Sequence, residues 1–203
     1  MNKALFLDRD GVINKEVNYL YEIQKFEFIE GVFEACNFFQ DAGYLLIVIT
    51  NQAGIARGYY SEDEFNLLNH WMLKQFEDRA VKITKTYYSP FHPEHGIGKY
   101  RKDHWSRKPN PGMLFQAHKE FNINLSESIL VGDKESDIAA GLAADVGFNV
   151  LVRSGHKTDE SLTKADAVID SIRELPRLFL ERAEKLKSDG QLPDLFAGIP
   201  TEM

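Results

Sequence analysis

The chain has 203 residues, 43% of them hydrophobic, enough to bury one good core, and we expect a single domain over 1–187 followed by a tail over 188–203. Its 31 acidic and 24 basic residues give a formal net charge of −7, which argues against a nucleic-acid partner. No apolar run approaches the roughly 20 residues that span a bilayer, and no charged leader precedes the first apolar run, so we expect no membrane partner and a cytoplasmic location. The single cysteine, Cys36, excludes an internal disulfide and is expected in the core.

Short apolar or β-branched runs alternate with segments of helical period along the chain. The strand-like runs fall at residues 4–8, 44–50, 83–88, 128–132, 148–152 and 167–170. Helical signals occupy residues 32–41, a segment that opens at Ser61, another that opens at Pro109, and residues 136–144 and 172–187. This alternation predicts an α/β fold, a three-layer Rossmann-like parallel sheet with helices on both faces.

Polar clusters stand where several of these segments end or begin. They read Asp8-Arg9-Asp10-Gly11 after the first strand, Thr50-Asn51-Gln52 after the second, Arg107-Lys108-Pro109 before a helix, and Gly132-Asp133-Lys134 after the fourth strand, with Asp137 close behind. Ligands of an open parallel sheet bind outside the carboxyl ends of its strands. We therefore expect Asp8, Thr50 and Asp133 to lie close together.

Several carboxylates in one place need a cation among them, because like charges raise one another's pKa. Mg²⁺ prefers oxygen ligands and also accepts substrate phosphate, which suits Asp8, the Asp10 backbone carbonyl and Asp133. Lys108 would neutralise the oxygens of a transferring phosphoryl group, and the Thr50 hydroxyl would hydrogen-bond them. These residues predict magnesium-dependent phosphoryl transfer.

The four clusters together resemble the motifs of the haloacid dehalogenase superfamily. The matching residues are Asp8-x-Asp10-Gly11-Val12, Thr50-Asn51, Lys108-Pro109 and Gly132-Asp133-x3-Asp137. The longer stretches 6–14, 50–58 and 107–109 are similar to the subfamily of heptose bisphosphate phosphatases and histidinol phosphatases, whose members carry no large cap domain. The resemblance covers roughly residues 3–172 and implies a capless haloacid dehalogenase fold.

The resemblance also implies roles for individual residues. Asp8 would attack phosphorus and form an aspartyl-phosphate, and Asp10 would protonate the leaving oxygen and then activate water. Thr50 and Lys108 would complete the catalytic set. Substrate contacts are implied for Glu16, Val17, Asn18, Tyr19, Asn51, Gln52, Ala53, Arg107 and Lys134. Arg107 would reach a second phosphate or polar group of the substrate, since a guanidinium grips phosphate by two hydrogen bonds.

The substrate that the resemblance implies is a small phosphorylated sugar, D-glycero-D-manno-heptose 1,7-bisphosphate, cleaved at its 7-phosphate. Histidinol phosphate is the alternative. A signalling receiver domain also combines a parallel sheet, magnesium and a phosphorylated aspartate, but it lacks the general acid/base that Asp10 supplies two residues after the acceptor. The absence of a clear exposed apolar seam favours a monomer.

Many members of the family carry a zinc loop with ligands spaced Cys-x-His and Cys-x-Cys. The corresponding segments here read Ser89-Pro90-Phe91 and His104-Trp105-Ser106. Serine and phenylalanine are not normal zinc ligands, so we predict that structural zinc is absent. His92, His95 and His104 could form a replacement metal cluster. Histidines scattered among prolines and glycines in a loop are more often solvated, and we favour that interpretation. The loop is expected to pack instead through aromatic side chains, namely Tyr87, Tyr88, Phe91, Tyr100 and Trp105.

Overall fold

The computed structural model describes residues 1–188, and the remainder of the predicted tail lies outside the described residues. Six strands form one parallel sheet: β1 (Lys3–Leu7), β2 (Tyr44–Asn51), β3 (Ile83–Ser89), β4 (Ile129–Gly132), β5 (Phe148–Val152) and β6 (Ala167–Ile169). The helices are α1 (Val32–Asp41), α2 (Ala53–Ala56), α3 (Glu62–Glu77), α4 (Gly112–Phe121), α5 (Glu135–Ala143) and α6 (Leu175–Ser188). The predicted α/β class is confirmed.

The strand order is β3-β2-β1-β4-β5-β6, so β1 lies between β2 and β4. Leu7 is in register with Val48 of β2 and with Val131 of β4. Because all these strands are parallel, the segments that follow β1, β2 and β4 emerge at the same edge of the sheet. The topology therefore brings together the polar clusters that the sequence separates.

Alternating residues of the buried strands face two hydrophobic layers. Leu5 and Leu7 of β1 pack with α1, α3 and α6 on one face, whereas Ala4 and Phe6 pack with α4 and α5 on the other. Parallel strands covered on both faces read as continuous apolar runs, as β1 does. Cys36 is wholly buried in the first layer, and burial raises its thiol pKa to about 12, which confirms its expected place in the core.

Helix ends follow local sequence, with small shifts from the expected bounds. Ser61 begins α3 through a capping box with Glu64, as the sequence predicts. The helix expected to open at Pro109 begins at Gly112, because Pro111 restricts the backbone of the residue before it. The last segment opens as a 3₁₀ turn over Ile172–Glu174 and continues as α6. The four-residue α2 is too short to show a period, and the sequence did not predict it.

The segment 8–43 between β1 and β2 contains one short 3₁₀ turn and α1, so no separate cap is inserted there. Within residues 1–188, none of the helices has both the length and the apolarity that crossing a membrane requires. Because no cap is inserted after β1, the carboxyl edge of the sheet stays open to solvent on one side.

Candidate active site

A cavity of about 390 Å³ lies at the carboxyl ends of β1, β2 and β4. The predicted site residues on its wall are Asp8, Asp10, Glu16, Asn18, Tyr19, Asn51, Gln52, Ala53, Arg107, Lys108 and Lys134. Thr50 and Asp133 are buried just beneath that wall. Val17 does not line the cavity and is 45% exposed, because the chain turns sharply at Asn18 and Tyr19, which have φ angles of +54° and +56°.

Asp8 is paired with a buried lysine. Lys108 Nζ lies 3.0 Å from Asp8 Oδ1 and 2.6 Å from Asp137 Oδ1, and it donates to the Ile49 carbonyl at 2.8 Å. Burial opposes the charge on Lys108, but Asp137 and Asp8 outweigh it and raise the pKa of the ammonium group. Lys108 is therefore a fixed positive charge beside the predicted nucleophile.

A side-chain bridge aligns this lysine with β2. The Asn51 amide donates to the Lys108 carbonyl at 2.9 Å, and the Lys108 backbone N–H donates to Asn51 Oδ1 at 3.1 Å. Asn51 lines the cavity, but its two polar atoms are used by the loop that carries Lys108. We infer that its first task is to hold that loop in register with the sheet.

Three carboxylates, from Asp8, Asp133 and Asp137, have oxygens within 4.8 Å of one another. Burial raises the pKa of Asp8, and burial together with the Asp8 charge raises the pKa of Asp133. One Asp133 oxygen, Oδ1, is buried without a hydrogen-bond partner. The other oxygen accepts from the His156 backbone at 2.9 Å and lies 2.7 Å from His156 Nδ1. A cation would satisfy the free oxygen and relieve the repulsion.

The Asp133 carboxylate is enclosed by backbone. A Cβ atom at Gly11, whose φ is +85°, would lie 2.6 Å from Asp133 Oδ2. A Cβ at Gly155 would lie 2.1 Å from the same oxygen. The loops after β1 and β5 can approach this carboxylate closely only because both positions are glycine.

Asp10 has a different environment from Asp8. Arg9, wholly buried, donates from Nε and Nη2 to Asp10 Oδ1 at 3.1 and 2.9 Å, while Asn14 Nδ2 and Gln52 Nε2 lie 3.0 and 3.2 Å from Asp10 oxygens. Burial raises the pKa of Asp10, but the Arg9 charge and these hydrogen bonds outweigh it and lower that pKa. The pKa values of Asp8 and Asp10, two residues apart in the chain, are thus shifted in opposite directions.

The cavity wall away from Asp8 carries positive charge. Arg107 is half-buried and donates to the Phe91 carbonyl at 3.0 Å, and Arg57 and His92 line the same cavity. The Arg57 Nε atom is buried without a partner, and neither arginine forms an ion pair within residues 1–188. Burial and the nearby Arg57 charge lower the pKa of Arg107, which shows that the two guanidinium groups repel each other. This wall can hold an anion.

The remaining predicted residues form the rim of the cavity. Glu16 Oε1 accepts from the Asn18 backbone N–H at 2.5 Å, and the Tyr19 ring packs edge-on against Tyr59. Lys134, an implied substrate contact, forms no ion pair among the described residues. Burial raises the pKa values of Glu16 and Asp133, and the charge of Lys134 offsets only part of that rise.

The four positions of the zinc-loop pattern meet in space. Ser106 Oγ donates to Ser89 Oγ at 3.2 Å and lies 2.7 Å from His104 Nδ1, while the Phe91 and His104 rings are 4.1 Å apart. In residues 1–188, none of the clusters of side chains that could hold a metal includes His92, His95 or His104. The absence of zinc stays a prediction.

Several residues of this site were not assigned from sequence. They are Arg9, Arg57, Tyr60, His92 and His156, together with Asp137, which was recognised as part of a motif but given no role. Asp137 could have been assigned, because it lies in the first turn of α5, directly after the turn that carries Asp133. Tyr60 and His156 follow no motif, since their contacts depend on long-range packing.

A buried carboxylate beside a fixed lysine, facing a second carboxylate of lower pKa, suits covalent transfer of a phosphoryl group. A parallel α/β sheet that carries these groups on its carboxyl edge defines the class of phosphoryl-transfer hydrolases. Comparison with known proteins then identifies the family. A family model described as HAD-hydrolase-like matches residues 105–175.

Two curated relatives match most of the chain. The D-glycero-alpha-D-manno-heptose-1,7-bisphosphate 7-phosphatase of Burkholderia mallei is 49% identical over 86% of this chain and 92% of that protein. The D-glycero-beta-D-manno-heptose-1,7-bisphosphate 7-phosphatase of Haemophilus influenzae is 49% identical over 91% of this chain and 100% of that protein. The two names differ in the anomer of the sugar.

Solved structures agree with the fold. A HAD-like phosphatase from Mesorhizobium loti has a TM-score of 0.75 and 31% identity, over 98% of this chain and 86% of that one. The D,D-heptose 1,7-bisphosphate phosphatase from B. bronchiseptica, complexed with magnesium and phosphate, has a TM-score of 0.73 and 22% identity, over 89% of this chain and 99% of that one. The chain belongs to the haloacid dehalogenase superfamily, in the group of heptose-1,7-bisphosphate 7-phosphatases.

Proposed function

We propose that this chain is a magnesium-dependent phosphatase that removes the 7-phosphate of D-glycero-D-manno-heptose 1,7-bisphosphate. The observation that carries the proposal is one cavity lined by two groups suited to phosphate, Asp8 with Lys108 and Arg57 with Arg107. The names of relatives that match nearly half of the residues support the same substrate. Because both anomers occur among those names, the proposal covers both.

The donor set fits a bound Mg²⁺. Asp8 and Asp133 offer hard oxygen ligands, and the unpartnered Asp133 Oδ1 is the kind of buried atom that a cation satisfies. Asp137 is less suited, because its oxygens already bind Lys108 and the Lys134 backbone. The expected third protein ligand is the Asp10 backbone carbonyl. When bound, Mg²⁺ would neutralise charge on the phosphoryl oxygens and orient them.

In the first half-reaction, an Asp8 oxygen attacks phosphorus and the bond from phosphorus to the sugar oxygen breaks. Asp10 gives its proton to that departing oxygen, and Asp8 is left as an aspartyl-phosphate. Arrival of the phosphate dianion raises the pKa of Asp10, which helps this carboxyl to carry a proton at that stage. Lys108 offsets the charge that gathers on the phosphoryl oxygens, and the Thr50 hydroxyl donates to one of them.

In the second half-reaction, the Asp10 carboxylate takes a proton from water as that water attacks the phosphorus. The bond between phosphorus and Asp8 breaks, and inorganic phosphate leaves. The hydrogen bonds from Arg9, Asn14 and Gln52 stabilise the ionised form of Asp10 that this step requires.

The second phosphate of the substrate would lie against Arg57 and Arg107, with Glu16, Asn18 and Tyr19 at the rim. This cationic wall argues against the alternative, histidinol phosphate, whose ammonium group would be repelled there. Binding of a second phosphate would also offset the mutual repulsion of the two arginines.

The test is magnesium-dependent phosphate release from both heptose bisphosphate anomers and from histidinol phosphate, compared by kcat/KM. We expect a clear preference for one or both heptose anomers and loss of activity with EDTA. A preference for histidinol phosphate, or full activity without a divalent cation, would refute the proposal.

We further propose that residues 1–187 act as one catalytic domain, that the protein works as a monomer, and that it acts in the cytoplasm. The cavity is lined by residues from Asp8 to His156, which supports the first point. Sedimentation of the active enzyme tests the oligomeric state.

A further inference from the structure

We propose, on the basis of the phosphatase mechanism above, that Gln52 is a positioning residue held in one orientation by Tyr60. In that orientation one amide group aligns both the acid/base, Asp10, and the phosphoryl-binding hydroxyl of Thr50. The sequence places Gln52 only among the substrate contacts, and it assigns no role to Tyr60.

Gln52 is almost fully buried, with 2% of its surface exposed. Its Nε2 atom donates to Asp10 Oδ2 at 3.2 Å and to Thr50 Oγ1 at 2.8 Å. Its Oε1 atom accepts from the Tyr60 hydroxyl at 2.5 Å. All the side-chain polar atoms of Gln52 are therefore used inside the protein.

The orientation of this amide follows from hydrogen-bond chemistry. An ionised Asp10 can only accept, so the NH₂ end of Gln52 must face it. The opposite orientation would place two acceptor oxygens against each other. In this orientation the amide oxygen faces the Tyr60 hydroxyl, which donates to it.

The same contact sets the direction of the Thr50 hydroxyl. A threonine hydroxyl has one proton and two acceptor sites, and Gln52 occupies one of the acceptor sites. The Thr50 proton is then available for a phosphoryl oxygen at Asp8. Gln52 thus prepares a donor for the phosphoryl group while it holds the acid/base for the leaving oxygen.

Packing holds Tyr60 in place. Its side chain is 5% exposed, its ring stacks on Tyr21 with centroids 5.3 Å apart, and a Cβ at Gly54 would lie 2.1 Å from the ring. Burial raises the pKa of Tyr60, so its hydroxyl keeps the proton that it donates. The hydrogen bond from Tyr60 to Gln52 is therefore held in place by the packing around Tyr60.

The test uses the leaving group of the substrate. The value of kcat/KM reports the steps up to departure of the first product, and a sugar alkoxide needs the Asp10 proton whereas p-nitrophenolate does not. Tyr60→Phe keeps the ring and removes the hydroxyl. We expect kcat/KM to fall roughly 10- to 100-fold for the heptose bisphosphate, and by about threefold or less for p-nitrophenyl phosphate.

Three further variants make the test specific. Gln52→Met, of similar shape but without the amide, should show the same dependence on the leaving group. Tyr88→Phe is the matched control, because Tyr88 also donates to a carboxylate, Glu62, outside the cavity, and it should change neither rate. Asp10→Asn provides the reference pattern for loss of the acid.

Loss of the Thr50 alignment lowers both rates, so the positioning of Asp10 is measured by the excess loss on the sugar phosphate. Equal losses on both substrates in Tyr60→Phe and Gln52→Met would overturn that positioning. No loss in either variant would overturn it as well. If Asp10→Asn loses no more activity on the sugar phosphate than on the aryl phosphate, the proposed role of Asp10 fails and this inference fails with it. If only Asp10→Asn shows the pattern, the proposed function stands and the inference alone fails.

Discussion

Two regions border the same cavity and are held together by opposite kinds of interaction. At the catalytic edge, Asp8, Lys108 and Asp137 are buried charges in direct contact. In the loop over residues 89–106, neutral hydrogen bonds and ring contacts join the four positions of the zinc-loop pattern. The comparison indicates that the catalytic edge keeps buried charges despite their desolvation free energy. The supporting loop, in contrast, is held by neutral contacts that other side chains could replace.

The largest expected effect comes from the nucleophile. Asp8→Asn keeps the shape of the side chain but removes the attacking oxygen, and we expect turnover to fall about 10⁴-fold or more. Far-UV circular dichroism should stay unchanged, since Lys108 retains Asp137 as a partner. Turnover within tenfold of the wild type would contradict the assigned role.

Loss of the lysine should affect both activity and stability. Lys108→Met leaves Asp8 and Asp137 buried without their cation, and we expect a cost of about 3–5 kcal/mol in the free energy of unfolding in EDTA. Activity should fall roughly 10²- to 10³-fold. Denaturant unfolding gives the first value, and Lys102→Met, an exposed loop lysine, is the control. A stability loss below about 1 kcal/mol would mean that this ion pair is not the stabilising feature that its burial suggests.

The carboxylate cluster predicts how pH and metal act together. Asp8 and Asp133 have raised pKa values in the folded protein, so the folded state holds more protons than the unfolded state above the ordinary carboxyl pKa. In EDTA their contribution to stability should therefore fall as pH rises through the raised values, and Mg²⁺ should remove that loss. Thermal unfolding followed from about pH 4 upward, with and without Mg²⁺, measures it. Asp133→Asn should reduce the dependence on both pH and Mg²⁺, and an unchanged dependence would contradict the assignment.

A smaller effect is expected at the cationic wall. Arg57→Gln should lower kcat/KM for the heptose bisphosphate roughly tenfold and leave the heptose 7-monophosphate nearly unchanged, because only the bisphosphate meets that wall. Arg177→Gln, an exposed arginine of α6, is the matched control. Equal losses on the two substrates would place Arg57 outside the second phosphate site.

The smallest effect on activity should come from rebuilding the loop. The quadruple variant Ser89→Cys, Phe91→His, His104→Cys and Ser106→Cys supplies four ligands at positions that already meet, and we expect it to bind one zinc ion. Activity should stay within about threefold, because none of the four residues lines the cavity. Metal analysis of purified protein is the measurement. Stoichiometric zinc in the wild type would contradict the prediction that the natural loop binds none.

The same contrast explains how much the sequence could predict. Asp8, Thr50 and Asp133 were expected to meet because each follows a parallel strand, and strand topology alone brings such positions together. The isolation of Lys134 from carboxylates and the internal use of Gln52 were not predictable. Those outcomes depend on which side chains approach from distant segments, as Tyr60 does, and no local pattern encodes that approach.

The enclosure of Asp133 between Gly11 and Gly155 has a consequence for the history of the sequence. Each glycine leaves space that the carboxylate occupies, so neither position can acquire even a methyl group while the aspartate remains. A larger residue at either position would require a smaller residue at position 133. That change would remove Asp133 Oδ1, the buried oxygen suited to a cation. Three sites far apart in the chain are thus coupled by one shared space, so a substitution at any of them is expected to require a change at another.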